Sequence, residues 1–183
     1  MFAVYARYRG NDRHRAELVR ESAEALATLP GVSPFDIIGV ENIITVLKTA
    51  DACCDVTMAL LSHGDWAVAI GVASLFDDTR SLAIKTMGPR ARAGTVKVGV
   101  TSNPDIADDI AGVFCLLGHI LGKRTVEGRQ ATSLMRSGFN QIEAAQKLGI
   151  SKQAMSQRLQ AAGWQAELAG WLLALRLLRA AER

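Results

Sequence analysis

Apolar positions in the first hundred residues follow two rhythms, strand-like and helical, while those beyond residue 102 keep to the helical one. Phe2 to Tyr8, with Val4 flanked by aromatic and other β-forming residues, reads as a short strand. Asp12 to Leu29 then carries Leu18, Val19, Ala23, Leu26 and Leu29 at helical spacing, and Pro30-Gly31 stops it. Phe35 to Val40 and Ile43 to Leu47 are β-rich runs joined by Glu41-Asn42, which predicts a hairpin. Ala50 to His63 returns to helical spacing through Val56, Ala59 and Leu60, and Gly64-Asp65 separates it from the nearly continuous apolar run Trp66 to Ala73. The order β-α-β-β-α-β is the split pattern of a ferredoxin-like antiparallel sheet with two helices on one face, and Val96 to Val100 offers one more strand. Between these, Phe76 to Gly94 shows no clear rhythm. Its Lys85, Arg90 and Arg92 around Gly88-Pro89 allow a phosphate-binding loop or short helix, with a solvated connection the favoured expectation.

Asn103-Pro104 opens a helix whose start is acidic (Asp105, Asp108, Asp109) and whose end, Gly122-Lys123-Arg124, is basic, as the helix dipole favours. Its Ile106, Ile110, Val113, Leu117 and Leu121 form the expected buried face. Thr125 caps a further helix that Gly138 stops. Asn140 and Glu143 then have capping-box spacing, Ile142, Ala145 and Leu148 recur at three-residue spacing and are expected to share one inward face, Gly149 ends the helix, and Ser151 caps the next. In that next helix Met155 and Leu159 make the inward stripe, leaving Lys152, Gln153, Ser156, Gln157 and Gln160 outward. Gln165 to Ala181 is apolar around more than one face, so it needs two surfaces to cover it, one of which a second subunit could supply. These segments divide the chain into an α/β unit (1–101), a linking helix (102–124) and an all-α helix-turn-helix unit with its apolar last helix (125–183).

Charge sharpens this division. The chain of 183 residues has a net charge of +3, but residues 123–183 hold ten Lys or Arg against four acids, while residues 1–122 hold eleven against fourteen. A basic end on an acidic body suits a polyanion at that end. The outward side chains of the second short helix are the types that read base edges: Gln pairs with adenine, Lys with guanine, and Ser adapts to either. Arg124, Arg129, Lys147 and Arg158 are expected at phosphates. Cys53, Cys54 and Cys115 make neither a zinc pattern nor a disulfide framework, and they fit buried thiols of a reducing cytoplasm. His14, His63 and His119 have no ligand spacing, so neither metal nor other cofactor is expected. The run Met1 to Ala6 is too short for a secretory leader, and Leu168 to Leu178 too short to span a bilayer.

Arg124-Thr125 ahead of Arg129-Gln130, the helix end Leu134 to Gly138, and the run GFNQIEAAQKLGISKQAMSQRLQAAGW from Gly138 to Trp164 resemble the SatD-like family of bacterial proteins, which join an α/β N-terminal domain to a helix-turn-helix. The same run is similar to the DNA-binding ends of sigma factors and LuxR regulators. Gly88-Pro89-Arg90-Ala91-Arg92-Ala93 looks like a degraded form of a GPA-and-Arg segment of that family. The resemblance implies a nucleotidyl-cyclase-like sheet domain with an acid after the first strand and a Gly-Asp-Glu-Phe run at the hairpin. This chain has Arg7 and Gly39-Val40-Glu41-Asn42 there, so only Glu41 remains. Two-metal phosphoryl chemistry needs paired carboxylates, and an arginine in their place repels the ion. The expectation is therefore a cytoplasmic, dimeric, sequence-specific binder of double-stranded DNA, a transcription regulator whose non-catalytic α/β domain dimerises or senses a small-molecule effector. The alternatives are a cyclase-like nucleotide-processing enzyme and a module that docks on a protein such as RNA polymerase.

Overall fold

In the computed structural model, which describes residues 1–182, the alternation of Phe2–Tyr8 (β1) places Phe2, Val4, Ala6 and Tyr8 in one apolar core and Ala3 and Tyr5 in another. A strand buried on both faces must lie inside a sheet, and β1 does. It pairs antiparallel with Asn42–Leu47 (β3) on one side and with Trp66–Val72 (β4) on the other. Asp36–Ile38 (β2) pairs antiparallel with β3, through Ile37 opposite Ile43, and makes one edge. Val96–Val100 (β5) makes the other edge, giving the order β2-β3-β1-β4-β5.

The sheet is mixed, which corrects the expectation of a wholly antiparallel one. β5 runs parallel to β4, with Val68 opposite Val96 and Val72 opposite Val100. Parallel neighbours need a crossover, and the segment without clear rhythm supplies it: Phe76–Met87 is helix α3, on the sheet face away from the helices Arg15–Leu26 (α1) and Ala50–His63 (α2). It is not the solvated connection expected. Thr79, Ala83 and Met87 are its buried residues, four apart, and two of them are too small or polar to stand out as an apolar stripe. Their smallness has a purpose. Gly71 on β4 and Gly99 on β5 face each other in the ladder, and a Cβ at Gly71 would lie 2.5 Å from the Thr79 carbonyl oxygen and 2.7 Å from the Ala83 nitrogen.

On the opposite face α1 and α2 join Asp105–Gly122 (α4) over the larger core, which includes Val19, Val56, Leu60, Phe114 and Leu117. Helix α2 begins as the sequence predicts, with the Thr49 hydroxyl accepting from the Ala52 N–H and Gly64 closing it at φ 93°. Helix α1 begins later than expected, because Asp12 accepts the His14 N–H in a local turn and so holds the chain out of helix up to there.

Three short helices follow, Val126–Arg136 (α5), Gln141–Leu148 (α6) and Lys152–Ala161 (α7), around a small core of Ala131, Ala144, Ala145, Met155 and Leu159. The last helix, Trp164–Ala181 (α8), serves both bodies. Trp164 belongs to the small core, whereas Ala174, Leu175, Leu178 and Ala181 belong to the large one. Helix α8 runs antiparallel to α4: a Cβ at Gly163 would meet Ile120, one at Gly170 would meet Leu117, and Ser102 just before α4 donates to the Ala181 carbonyl oxygen at 3.2 Å. Among the described residues there are five strands and eight helices, and no helix is long and apolar enough to cross a membrane.

Candidate nucleic-acid interface

The two-helix segment is fixed locally by its caps. The Asn140 side chain accepts from the Ile142 and Glu143 N–H groups at 2.9 and 3.1 Å, and Glu143 accepts from the Asn140 N–H at 2.9 Å, closing a capping box. Gly149 takes φ 64° at the C-terminus of α6, the left-handed conformation that favours glycine, and the Ile150 N–H returns to the Ala145 carbonyl. Ser151 accepts from the Ala154 N–H at 3.1 Å and starts α7. Such caps contribute about 1 kcal/mol each, so the ends of α6 and α7 that flank the turn are specified by residues close by in sequence.

Met155 and Leu159 turn into the small core, and Lys152, Gln153, Ser156, Gln157 and Gln160 all stand exposed on α7. The five side chains named from the sequence therefore share one accessible helix, free of intramolecular hydrogen bonds or ion pairs among the described residues. Arg129 and Lys147 are exposed as well, with the Lys147 ammonium 4.7 Å from the centre of the Phe139 ring. Arg158 is half-buried beside α5. Its charge adds to the hydrogen bonds from the backbone N–H and the Thr125 hydroxyl that hold the Glu127 carboxyl below its ordinary range. Ile142 departs from the expected inward face: it is 53% exposed, and Ala144 takes its place beside Ala145.

Arg124 requires the larger correction. Its side chain is 2% exposed, so it has no access to a phosphate. Its Nε donates to the Ala162 carbonyl at 2.8 Å, one Nη approaches the Thr132 hydroxyl at 3.5 Å, and the other donates to Glu167 Oε2. Glu167 Oε1 in turn accepts from Nε and Nη2 of Arg136, at 2.8 and 2.6 Å. A single carboxylate on α8 thus holds the α4–α5 junction, the end of α5 and, through Arg124, the end of α7. Sequence reasoning missed this clamp. The available signal was that Glu167 is the lone acid of α8.

A polar network also occupies the end of the sheet where the resemblance would place metal chemistry. Arg7 donates to Asn42 Oδ1 at 2.8 Å, to the Gly88 carbonyl at 3.1 Å and to the Tyr5 hydroxyl at 3.3 Å. Glu41 accepts from Arg9 at 3.3 Å on one oxygen and from Arg15 at 3.4 Å on the other. Both oxygens of the surviving acid are thus engaged by cations. Lys85, Arg90 and Arg92 lie exposed nearby in sequence. Comparison with protein-family models, with curated proteins and with solved structures finds no match.

Proposed function

We propose that this chain is a sequence-specific DNA-binding protein, a bacterial transcription regulator of SatD-like type that acts as a cytoplasmic dimer, in which α6 and α7 form a helix-turn-helix and α7 enters the major groove. The observation that carries this reading is the division of α7: Met155 and Leu159 anchor it, and five side chains suited to base edges are exposed and uncommitted along the rest. Arg129, Lys147 and Arg158 would meet phosphates. We take the first sheet unit as ferredoxin-like, the order β2-β3-β1-β4 and the antiparallel pairing supporting that assignment, with β5 as an added edge strand.

We further take the sheet unit as non-catalytic, because Arg9 and Arg15 already neutralise Glu41. Selection of bound fragments from random duplex DNA, followed by titration at several salt concentrations, tests the proposal. Replacing Gln153 and Gln157 together by Ala should reduce discrimination between selected and random duplex by roughly tenfold or more, at about 1–3 kcal/mol per lost bidentate contact, while weak salt-sensitive binding persists. Unchanged discrimination would overturn the assignment of α7. Mg²⁺-dependent turnover of a nucleoside triphosphate that Glu41→Gln abolishes would instead establish the cyclase-like alternative.

A further inference from the structure

A cavity of about 800 Å³ opens between the two bodies, bounded by α2, the end of α5 and the first half of α8. Volumes of roughly 300–1,000 Å³ are typical of small-molecule sites. Its apolar wall is made by Trp171, Met58 and Met135, with the buried Trp164, whose ring centre lies 5.9 Å from the Arg136 guanidinium, at one end. Four charged or titratable groups border it, and three are already matched. Arg136 shares the Glu167 carboxylate with the buried Arg124, and His63 faces Asp65 at 3.6 Å. Asp55 is the exception. It is half-buried in α2, one oxygen accepts the Trp171 indole N–H at 3.0 Å, and among the described residues no cation pairs with it. Burial, and then the neighbouring Asp51, push its carboxyl above the ordinary range, the Trp171 hydrogen bond opposing them.

A carboxylate in this setting lacks a counter-ion, and the groups beside it are the ones that attract organic cations, since indole faces stabilise a positive charge held over them. We infer that the cavity between α2, α5 and α8 binds an aromatic organic cation, with Asp55 as its counter-ion and Trp171 as its stacking wall. The Arg136–Glu167 pair stays closed in this arrangement. The site goes beyond DNA recognition and stands independently of what α7 touches.

Rhodamine 6G, a planar aromatic cation, serves as probe, with the anionic aromatic 1-anilinonaphthalene-8-sulfonate for comparison. Binding is read without DNA, by probe fluorescence anisotropy and by quenching of intrinsic tryptophan emission. Asp55→Asn keeps an oxygen for the Trp171 N–H and removes the charge. It should weaken rhodamine 6G by about tenfold, the scale of one charge-assisted contact, and leave the anionic probe no weaker. Leu168→Lys, at an exposed position on the cavity rim, should weaken the cation in the same direction without disturbing a core. Equal affinity of the wild type and both variants for rhodamine 6G, or binding that does not saturate, would overturn the inference. So would preference for the anionic probe in the wild type.

Discussion

Removing the Glu167 carboxylate should destabilise the protein more than its position on a terminal helix suggests. The magnitude follows from which partner is left behind. Arg136 has a side chain 41% exposed and would turn to water, so its share is no more than about 1 kcal/mol, as for exposed pairs. Arg124 is 2% exposed and has no second acidic partner among the described residues. A buried guanidinium stripped of its carboxylate costs about 3–5 kcal/mol. For a chain of this size each kcal/mol shifts the melting temperature by about 2–4 °C, so Glu167→Ala should lower it by roughly 6 to 20 °C.

The companion variants separate charge from packing. Arg136→Ala should cost under ~1 kcal/mol. Arg124→Met with Glu167→Leu removes both buried charges and should recover most of the loss, because paired charges replaced by apolar groups of similar volume are often neutral. The assay is urea unfolding followed by circular dichroism, with the slope checked for constancy so that midpoint shifts report stability. A single Glu167→Ala loss below ~1 kcal/mol, or a double variant no more stable than Glu167→Ala, would refute the idea that an unpaired Arg124 is the source of the cost.

Three further outcomes follow from other parts of the molecule. Gly71→Ala should cost about 1–3 kcal/mol or more, since its Cβ would strike the backbone of α3 at Thr79 and Ala83, whereas Gly99→Ala meets mainly the movable side chains of Thr86 and Leu82 and should cost less; chemical denaturation compares the two. Native protein treated with a thiol-reactive dye should label at Cys115, which is exposed, while Cys53 and Cys54, buried and with thiols pushed far up by desolvation, react only on unfolding, as peptide mapping would show. Replacing Arg129 or Lys147 by Ala should lower the salt dependence of DNA binding by about one counterion each, and Arg124→Met, with its guanidinium already committed inside, should leave that slope unchanged.

What could be read from the sequence was what the chain specifies within a turn or two. Asn140, Glu143, Gly149 and Ser151 act on backbone groups a few residues away, and their geometry appears where the spacing put it. Strands β1, β3 and β4 and helix α2 were legible because their apolar runs are long and face large cores. Helix α3 was not, since contact with a glycine pair favours small residues and so erases the stripe. Ile142 was misplaced for a geometric reason. At 3.6 residues per turn, positions six apart diverge by about 120°, so Ile142 and Leu148 cannot both face inward, and the short helix buries Ala144 and Ala145 between them. Arg124 looked like a surface cation because its partner lies 43 residues away and across a helix junction.

Helix α8 shows how a non-local explanation changes a functional expectation. Its apolar width suggested that a second subunit covers one side. Within a single chain, Ala174, Leu175, Leu178 and Ala181 already pack on the large core, Trp164 on the small one, and Trp171 and Leu168 on the cavity. Most of the excess is thereby used. Leu168, Leu172 and Leu173 on α8 and Leu116 on α4 stay exposed. A dimer built on those residues alone would be small, and stable interfaces bury about 1,200 Å² or more. The proposed dimer therefore needs further surface, and the exposed apolar side chains outside α4 and α8 include Ile37 and Val40 at or beside the β2 edge and Leu75 and Phe76 at the start of α3.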